Sequence, residues 1–520
     1  MSDKIETSKA ITEHINKPRH LLPDDLPLPE ELAHLPEDEI RRLDRRLTKT
    51  LDMTLLPVVF LLFLLNILDR NNIASGKISG LTTTLGMTNS EYNTCLLMFY
   101  VGYCITQVPS NMIIGKVRPS LYICLITSLW GVLSMSQGFT QNFSQLAAVR
   151  FILGLVEAPL YTGGLCIGYM SCWYTRAELP PRIAILYGGN MIATAFSGLI
   201  AAGITSRMEG AAGRPAWEWL FIIEGSMTVI IAILVLPLLT DYPLQSKHIL
   251  LSRELQLYAE YRVRKENAGI VDEDPESIWW GLKQALIDPK LYMFVVMQMA
   301  LITAQSFNNF FPSIVGTLGY GREKTLLLTS PPYFFAFIVS ILLSFHAAHA
   351  HERGYHIAIP MLFALLGHLL AMFIPSTGGR YFSMFLMTAG SYSPYNLCMS
   401  WVSASLPRLQ IRPRAKRAAA LAIVNFMSAG VAHFYTSYMF PDSQKPRYYA
   451  GGAVMAGASI VCAGVALFIK RHLRRQNARF EEEEEEGQES RDGDGLAYGQ
   501  IQGSKKGHGG NAMVSFRYVH

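Results

Sequence analysis

The sequence predicts an all-α membrane protein of twelve transmembrane helices in two six-helix halves. Three observations predict it. Half of the 520 residues are apolar and only 16% are charged, against roughly 25% in an ordinary soluble domain. Mean hydropathy is +0.22. The apolar residues are gathered into runs of the length, about 20 residues, that crosses a bilayer as a helix. The runs are too long and too uniformly apolar for barrel strands, so a helical bundle is the spanning option. The composition excludes a disordered chain, a nucleic-acid-binding domain and a small disulfide scaffold. A net charge of +5 is too mild to imply a polyanionic partner, and no nucleic acid is expected.

In order, the predicted spans are 53–74, 92–114, 120–138, 145–172, 183–204, 219–239, 290–314, 326–346, 355–374, 381–404, 418–440 and 450–469. They divide the chain into an N-terminal segment (1–52), a first six-helix half (53–240), a central loop (241–288), a second half (289–470) and a tail (471–520). The N-terminal segment is polar, acidic and proline-rich. It ends in Arg41, Arg42, Arg45, Arg46 and Lys49. That reads against a cleaved signal peptide; the first span acts as the insertion signal. The central loop is charged, and 252–267 reads as a surface helix. The tail, with glutamates at 481–486 followed by Gly-, Gln- and Ser-rich sequence, is expected to lack structure.

Loop charge sets the orientation. Lys116, Arg118, Arg176, Arg182, Arg353, Arg408, Arg412, Arg414, Lys416 and Arg417 fall in loops on the side of the termini, and Lys470, Arg471, Arg474 and Arg475 follow the last span. The other side is thinner in Lys and Arg. Both termini are therefore expected in the cytoplasm, in a multi-pass protein most simply of the plasma membrane. The seven cysteines, 95, 104, 124, 166, 172, 398 and 462, lie in or beside spans and form no metal-spaced pair. They read as reduced packing residues, with no metal and no cofactor expected. No phosphate-cradling GxxxxGK[ST] is present, nor GxSxG or HExxH, so neither ATP drive nor enzymatic catalysis is read.

The chemistry lies in charges inside the spans, which are expensive there and face a cavity or a partner. In the first span Asp69 and Arg70 are adjacent, among Asn66, Asn71 and Asn72. Adjacent residues fan about 100° apart on a helix. The bland alternative is that this helix ends near Leu68 and leaves the pair among headgroups. In the fourth span Arg150 and Glu157 are two turns apart on one face, about 10 Å along the axis. They suit one cavity with a substrate between them: an arginine fork for a carboxylate and a desolvated acid for a proton. The alternative is a structural ion pair with another helix. Glu224 in the sixth span serves a cavity or a loop anchor. His368 and His433 read as packing residues before proton relays, and His346, His349, His351 and His356 as a solvated loop. Gly163, Gly164, Gly168, Gly188 and Gly189 permit close helix approach or bending.

Several stretches carry a resemblance: LDRRLTKTLDMTLLPVVFLLFLLNILDRNNIASGKISGL, MFYVGYCITQVPSNMIIGKVRPS, RFILGLVEAPLYTGG, SCWYTRAELPPRIAILYGG and WEWLFIIEG. From about residue 43 to 475, including RYYAGG before the twelfth span, the chain resembles the fungal allantoate/nicotinate/pantothenate permease family. That family is the anion:cation symporter branch of the major facilitator superfamily. The resemblance implies a major facilitator fold and proton-coupled uptake of a small organic anion by alternating access. It implies Asp69 and Glu157 as proton-coupling residues and Arg70 and Arg150 as substrate-binding residues. The implied partners are a small anionic substrate, protons and the lipid bilayer, and the protein is expected to be monomeric. The sequence departs from the family pattern at GKVRPS, which lacks an Asp, at Glu218, at SWVSASLPR and at His433. Two alternatives stay open: an exporter working by proton antiport, and a nutrient sensor that binds without net transport.

Overall fold

A computed structural model describes residues 27–114, 117–161, 169–175, 178–243, 251–267, 277–350, 352–405 and 413–498. The spanning helices of the first half are α1 (Glu37–Ile78), α2 (Asn89–Ile114), α3 (Pro119–Ser136), α4 (Phe143–Tyr161), α5 (Leu179–Met208) and α6 (Ala216–Val235). Those of the second are α7 (Pro289–Ala304), α8 (Ser330–Ala350), α9 (Gly354–Phe373), α10 (Thr377–Tyr392), α11 (Pro413–Asn425) and α12 (Tyr449–Tyr498). Among the described residues, nine helices are long and apolar enough to cross a membrane. Each predicted span is helical over most of its length, the seventh, tenth and eleventh in consecutive pieces; the end of the fourth, residues 162–168, and Cys166 lie outside the described residues.

Local chemistry starts several of these helices. Pro119 and Pro289 stand at the first helical position, where a missing N–H costs nothing. The Asp288 carboxylate caps α7 by accepting from the Lys290 N–H at 3.0 Å, and the Ser376 hydroxyl caps α10. The loop helix Arg253–Asn267 is fastened to the first half through Arg262, which bonds Asp44 at 2.9 Å and the Trp173 carbonyl at 2.9 Å.

Two boundaries differ from expectation. α1 starts sixteen residues before the span predicted at 53, because its polar end carries buried Leu43, Leu47 and Leu51 at helical spacing. At the other terminus, the expectation of a structureless tail from 471 is corrected over 471–498: α12 runs unbroken to Tyr498. That stretch holds no proline and is rich in Arg, Gln and Glu, all good helix formers. Residues 499–520 lie outside the described residues.

Within the first half α2 packs on α4, α1 on α5 and α3 on α6; within the second, α9 packs on α10 and α12, and α7 on α12. The closest approach is α2 to α4. A Cβ on Gly154 would fall 2.0 Å from the Phe99 carbonyl oxygen, so only glycine fits. The halves meet where α5 packs on α8 and where α2 meets the π-helix Phe426–Val431 that continues α11. Counting six helices per half, these two contacts are equivalents of one another, which is the mark of an internal two-fold.

Candidate functional site

α7 does not cross in one piece. After Gln305 it passes into a tight 3-10 turn, Ser306–Phe310, then a short helix, Phe311–Gly316, with Pro312 at its start. Proline cannot supply the backbone N–H that a continuous helix needs there. The break turns amide side chains toward the middle of the molecule. α10 stops at Tyr392, and a further helix begins at Tyr395 and runs to Ser405.

Between the halves lies a cavity of about 680 Å³. α1 gives it Arg70 and Asn71, α2 Tyr100 and α5 Asn190. The break in α7 gives Gln305, Asn308 and Asn309; α10 gives Tyr392, with Tyr395 just beyond; His433 comes from the helix after the π-turn. Arg70 is the lining residue with a permanent charge.

Asp69 and Arg70 are well inside α1, so the alternative of a helix ending near Leu68 falls away. Their rotation about the helix sends them to opposite partners. Arg70 points to α2 and α4. Its Nε donates to the fully buried Glu157 Oε1, and its guanidinium lies 5.1 Å from the Phe99 ring centre and 5.0 Å from that of Tyr103. Aromatic faces favour a cation at that range. Asp69 points to α3 and α6 and does not reach the cavity. Trp130 donates to its Oδ2 at 2.9 Å, Ser134 to its Oδ1 at 2.8 Å and Thr228 to its Oδ2 at 3.1 Å.

Arg150 and Glu157 share a face of α4, but Glu157 pairs across to Arg70 instead of facing a space shared with Arg150. Arg150 is 2% exposed, and its Nε and Nη2 have no hydrogen-bond acceptor among the described residues. It lies within electrostatic reach of Tyr92, Cys95, Tyr100 and Glu157, while Tyr100 itself lines the cavity. Glu224 is buried on α6 beside Asp69 and Asn72, and neither of its oxygens has a formed hydrogen bond among the described residues. His368 is buried against Phe307 in the second half, away from this cavity.

Sequence reading left out most of the second half's contribution. His433 is stacked on Tyr100, ring centres 3.8 Å apart and planes 10° apart, so one ring from each half closes on the other. The π-helix before it adds a residue to the turn and rotates the following turn of helix by about 100°; no sequence rule announces that. The amides of the α7 break were findable as Asn308 and Asn309 just before Pro312 in an otherwise apolar run.

A chain of polar contacts crosses between the halves beside the cavity. Asn71 donates to Thr194 at 3.1 Å, Asn308 donates to Asn71 at 3.4 Å, and Tyr333 donates to Asn308 at 2.6 Å. Farther toward the side away from the termini, Lys77 of the first half lies 3.6 Å from Asp442 of the second. Thr94 and Tyr438 share a hydrogen bond of 3.0 Å.

The sequence pattern of the Major Facilitator Superfamily matches residues 59–437. The chain belongs to the Major Facilitator Superfamily. Among similar proteins are the MFS-type transporter cnsO of Penicillium expansum, 30% identical over 447 residues that cover 84% of each chain. The MFS transporter prlL of a fungal species (strain NRRL 50135) is 30% identical, covering 82% of this chain and 86% of its own. The major facilitator-type transporter hxnP of Emericella nidulans is 28% identical over 85% of this chain and 88% of its own.

Solved superfamily structures share the fold. A bacterial homolog of the human lysosomal transporter Spinster, inward-facing and occupied, has a TM-score of 0.59 at 13% identity, covering 80% of this chain and 96% of its own. The xylose transporter XylE from E. coli, in a partially occluded inward-open conformation, has a TM-score of 0.56 at 14% identity, over 78% of this chain and 96% of its own. The protein is a multi-pass membrane transporter of the secondary kind, not an enzyme.

Proposed function

We propose that this transporter takes up a small organic anion together with protons by alternating access. The observation that carries the reading is Arg70, a permanent cation on the cavity wall whose Nε is held by the buried carboxyl of Glu157. Glu157 and a substrate carboxylate compete for one guanidinium. When Glu157 takes a proton it loses its charge and its hold on Arg70, which then accepts the carboxylate through its planar fork. When the proton leaves, Glu157 recovers Arg70 and expels the anion. Anion and proton thereby move together. The asparagine and tyrosine side chains around Arg70 offer neutral donors for the rest of the substrate.

Asp69 is the second acid of this reading and Arg150 its second cation, acting on the cavity through Tyr100. The loop distribution of Lys and Arg supports termini in the cytoplasm, with the plasma membrane as the site of uptake.

The test is uptake of labelled nicotinate, pantothenate, allantoate and sugar acids into proteoliposomes with an inward proton gradient. The expected result is accumulation of one of these anions that collapses with the gradient. Glu157→Gln keeps the shape and mimics the protonated acid, so it should retain anion exchange and lose gradient-driven accumulation. Accumulation that ignores the gradient, or that survives unchanged in Glu157→Gln, overturns the mechanism.

A further inference from the structure

The histidines near the turn from α8 to α9 belong to no part of the cavity. α8 ends at Ala350 and α9 begins at Gly354, yet the two share one neighbour, α10, and otherwise diverge, α8 packing on α5 and α9 on α12. A second space, about 1340 Å³, opens between them with α10 at its back. Phe335, Val339 and Leu343 of α8, Ile359 and Phe363 of α9, and Leu386 of α10 wall it. The floor is shallow because α9 and α10 touch closely: a Cβ on Gly390 would fall 2.4 Å from the Ala364 nitrogen. From Phe335 to His346 the groove runs about 16 Å along α8, about half the hydrocarbon thickness of a bilayer.

The groove is apolar along its length and polar at one end, beside the turn. There His346 Nδ1 lies 2.6 Å from His356 Nε2. His356 Nδ1 lies 2.7 Å from Glu352 Oε2, and Lys470 of α12 donates to Glu352 Oε1 at 2.7 Å. The Lys470 ammonium also sits 3.0 Å from the Tyr355 ring centre. Glu352 is thus neutralised by Lys470. Arg353, next to Glu352 in sequence, and Arg471, next to Lys470, add positive charge close to this end of the groove, with Arg353 donating to the Ser400 carbonyl at 3.0 Å. His346 and His349 are exposed there.

The geometry points to a binding site for one anionic phospholipid, its acyl chain between α8 and α9 and its phosphate against His346. The bond between the two imidazoles holds one proton, so one nitrogen donates and the other accepts. With His356 donating through both nitrogens, to Glu352 and to His346, and the far nitrogen of His346 donating to a phosphate oxygen, the two rings hold three N–H protons, one more than two neutral imidazoles, so the bound pair takes up a proton and carries a positive charge. A bound phosphate favours that arrangement. Apolar walls between two spanning helices suit hydrocarbon, and a positive mouth beside basic residues selects anionic headgroups. A choline headgroup brings its own cation into a mouth that is already positive.

Native mass spectrometry of the full chain, delipidated in detergent, tests this. The probes are phosphatidylglycerol and phosphatidylcholine of identical chains, and glycerol phosphate, which has the headgroup without the chains. The expected result is a single-lipid adduct that favours phosphatidylglycerol by about five-fold for each unit of charge the mouth contributes, with no glycerol phosphate adduct. His346→Gln with His356→Gln should bring the two lipids to near parity. Val339→Trp, which fills the groove, should remove the adduct of both. Folding of each variant is checked by its elution and unfolding temperature. The exposed His346→Gln alone serves if the double variant fails to fold, with part of the preference lost. Equal adducts in the unmodified protein, a preference that survives the histidine changes, an adduct that survives Val339→Trp, or competition by glycerol phosphate overturns the site.

Discussion

Asp69 shows how a buried carboxyl is kept inside a bundle. It is fully buried, and the Trp130 indole, the Ser134 hydroxyl and the Thr228 hydroxyl all donate to it. No single donor suffices, since a buried polar atom left without a partner costs about 1–3 kcal/mol. Trp130→Phe keeps an aromatic ring and deletes the N–H. It should lower stability by about 1–3 kcal/mol, read as a fall in unfolding temperature in detergent; an unchanged transition would show that the indole contributes packing alone. Arg70 is the complementary case. Its Nε donates to Glu157 and its face lies against Phe99 and Tyr103, and a lysine cannot do both. Arg70→Lys should cut transport at least about ten-fold with the charge preserved. Near-normal uptake would remove Arg70 from the substrate site.

At the scale of elements, one helix contact sets the position of Arg70 and Glu157 and another fastens the central loop. Gly154 brings α4 against α2 one turn from Glu157 and directly over Phe99. Gly154→Ala inserts a methyl where a backbone oxygen lies 2.0 Å away. It should cost about 1–3 kcal/mol and loosen the Arg70–Glu157 pair together with the cation's aromatic seat. A variant as stable and active as the unmodified protein would show that the two helices slide freely. The second contact is the clasp on the loop helix Arg253–Asn267. Glu178 accepts from Thr48 at 2.8 Å and lies 3.1 Å from Arg262. Burial raises its proton affinity, but the Thr175 N–H, the Thr48 hydroxyl and Arg262 outweigh that and hold it below the usual carboxylate range. A depressed carboxylate contributes its full stability above the ordinary value and loses it as pH falls through the lowered one. Protease sensitivity of the loop should therefore stay low at neutral pH and rise below about pH 4. Glu178→Gln should already be sensitive at neutral pH. If both forms are cut alike at pH 7, the clasp does not hold the loop.

Across the whole molecule, alternating access needs contacts between the halves that form on one side and break for the other. Lys77 with Asp442, Thr94 with Tyr438, and the chain from Thr194 through Asn71 and Asn308 to Tyr333 join the halves on the side away from the termini. Asp442 is partly exposed and also pairs with Lys445 at 2.9 Å, so any one charge is worth little. Lys77→Glu should shift the balance toward opening on that side and slow transport by about two- to five-fold. Asp442→Lys added to it should restore part of the rate. Accessibility of an introduced Asn71→Cys to a membrane-impermeant thiol reagent from that side should rise in the single variant and fall back in the double. No change in accessibility would show that these charges do not hold the halves together.

The class of the molecule was legible in the amino-acid order. Long apolar runs have one solution in a bilayer, so the helices and the buried charges of α1 and α4 follow from composition and spacing. Asp69, Arg70, Arg150 and Glu157 could be placed in helices because a charge in an apolar run stands out whatever packs beside it. Which of them meet depended on how the helices pack. One residue's step about the helix axis sends Asp69 to Trp130 and Arg70 to Glu157, and the partners come from helices up to 159 residues away in sequence. The second half's side of the cavity rests on a broken α7 and a π-turn in α11. These are backbone irregularities that re-aim Asn308, Asn309 and His433; the two amides stand out before Pro312 in an apolar run, but the direction they face does not. Near the end of the chain, composition argued for loss of structure while helix propensity carried α12 on to Tyr498. Composition reports whether a segment can bury a core; it does not report whether the backbone, with no core to bury, still prefers the helix it has already begun.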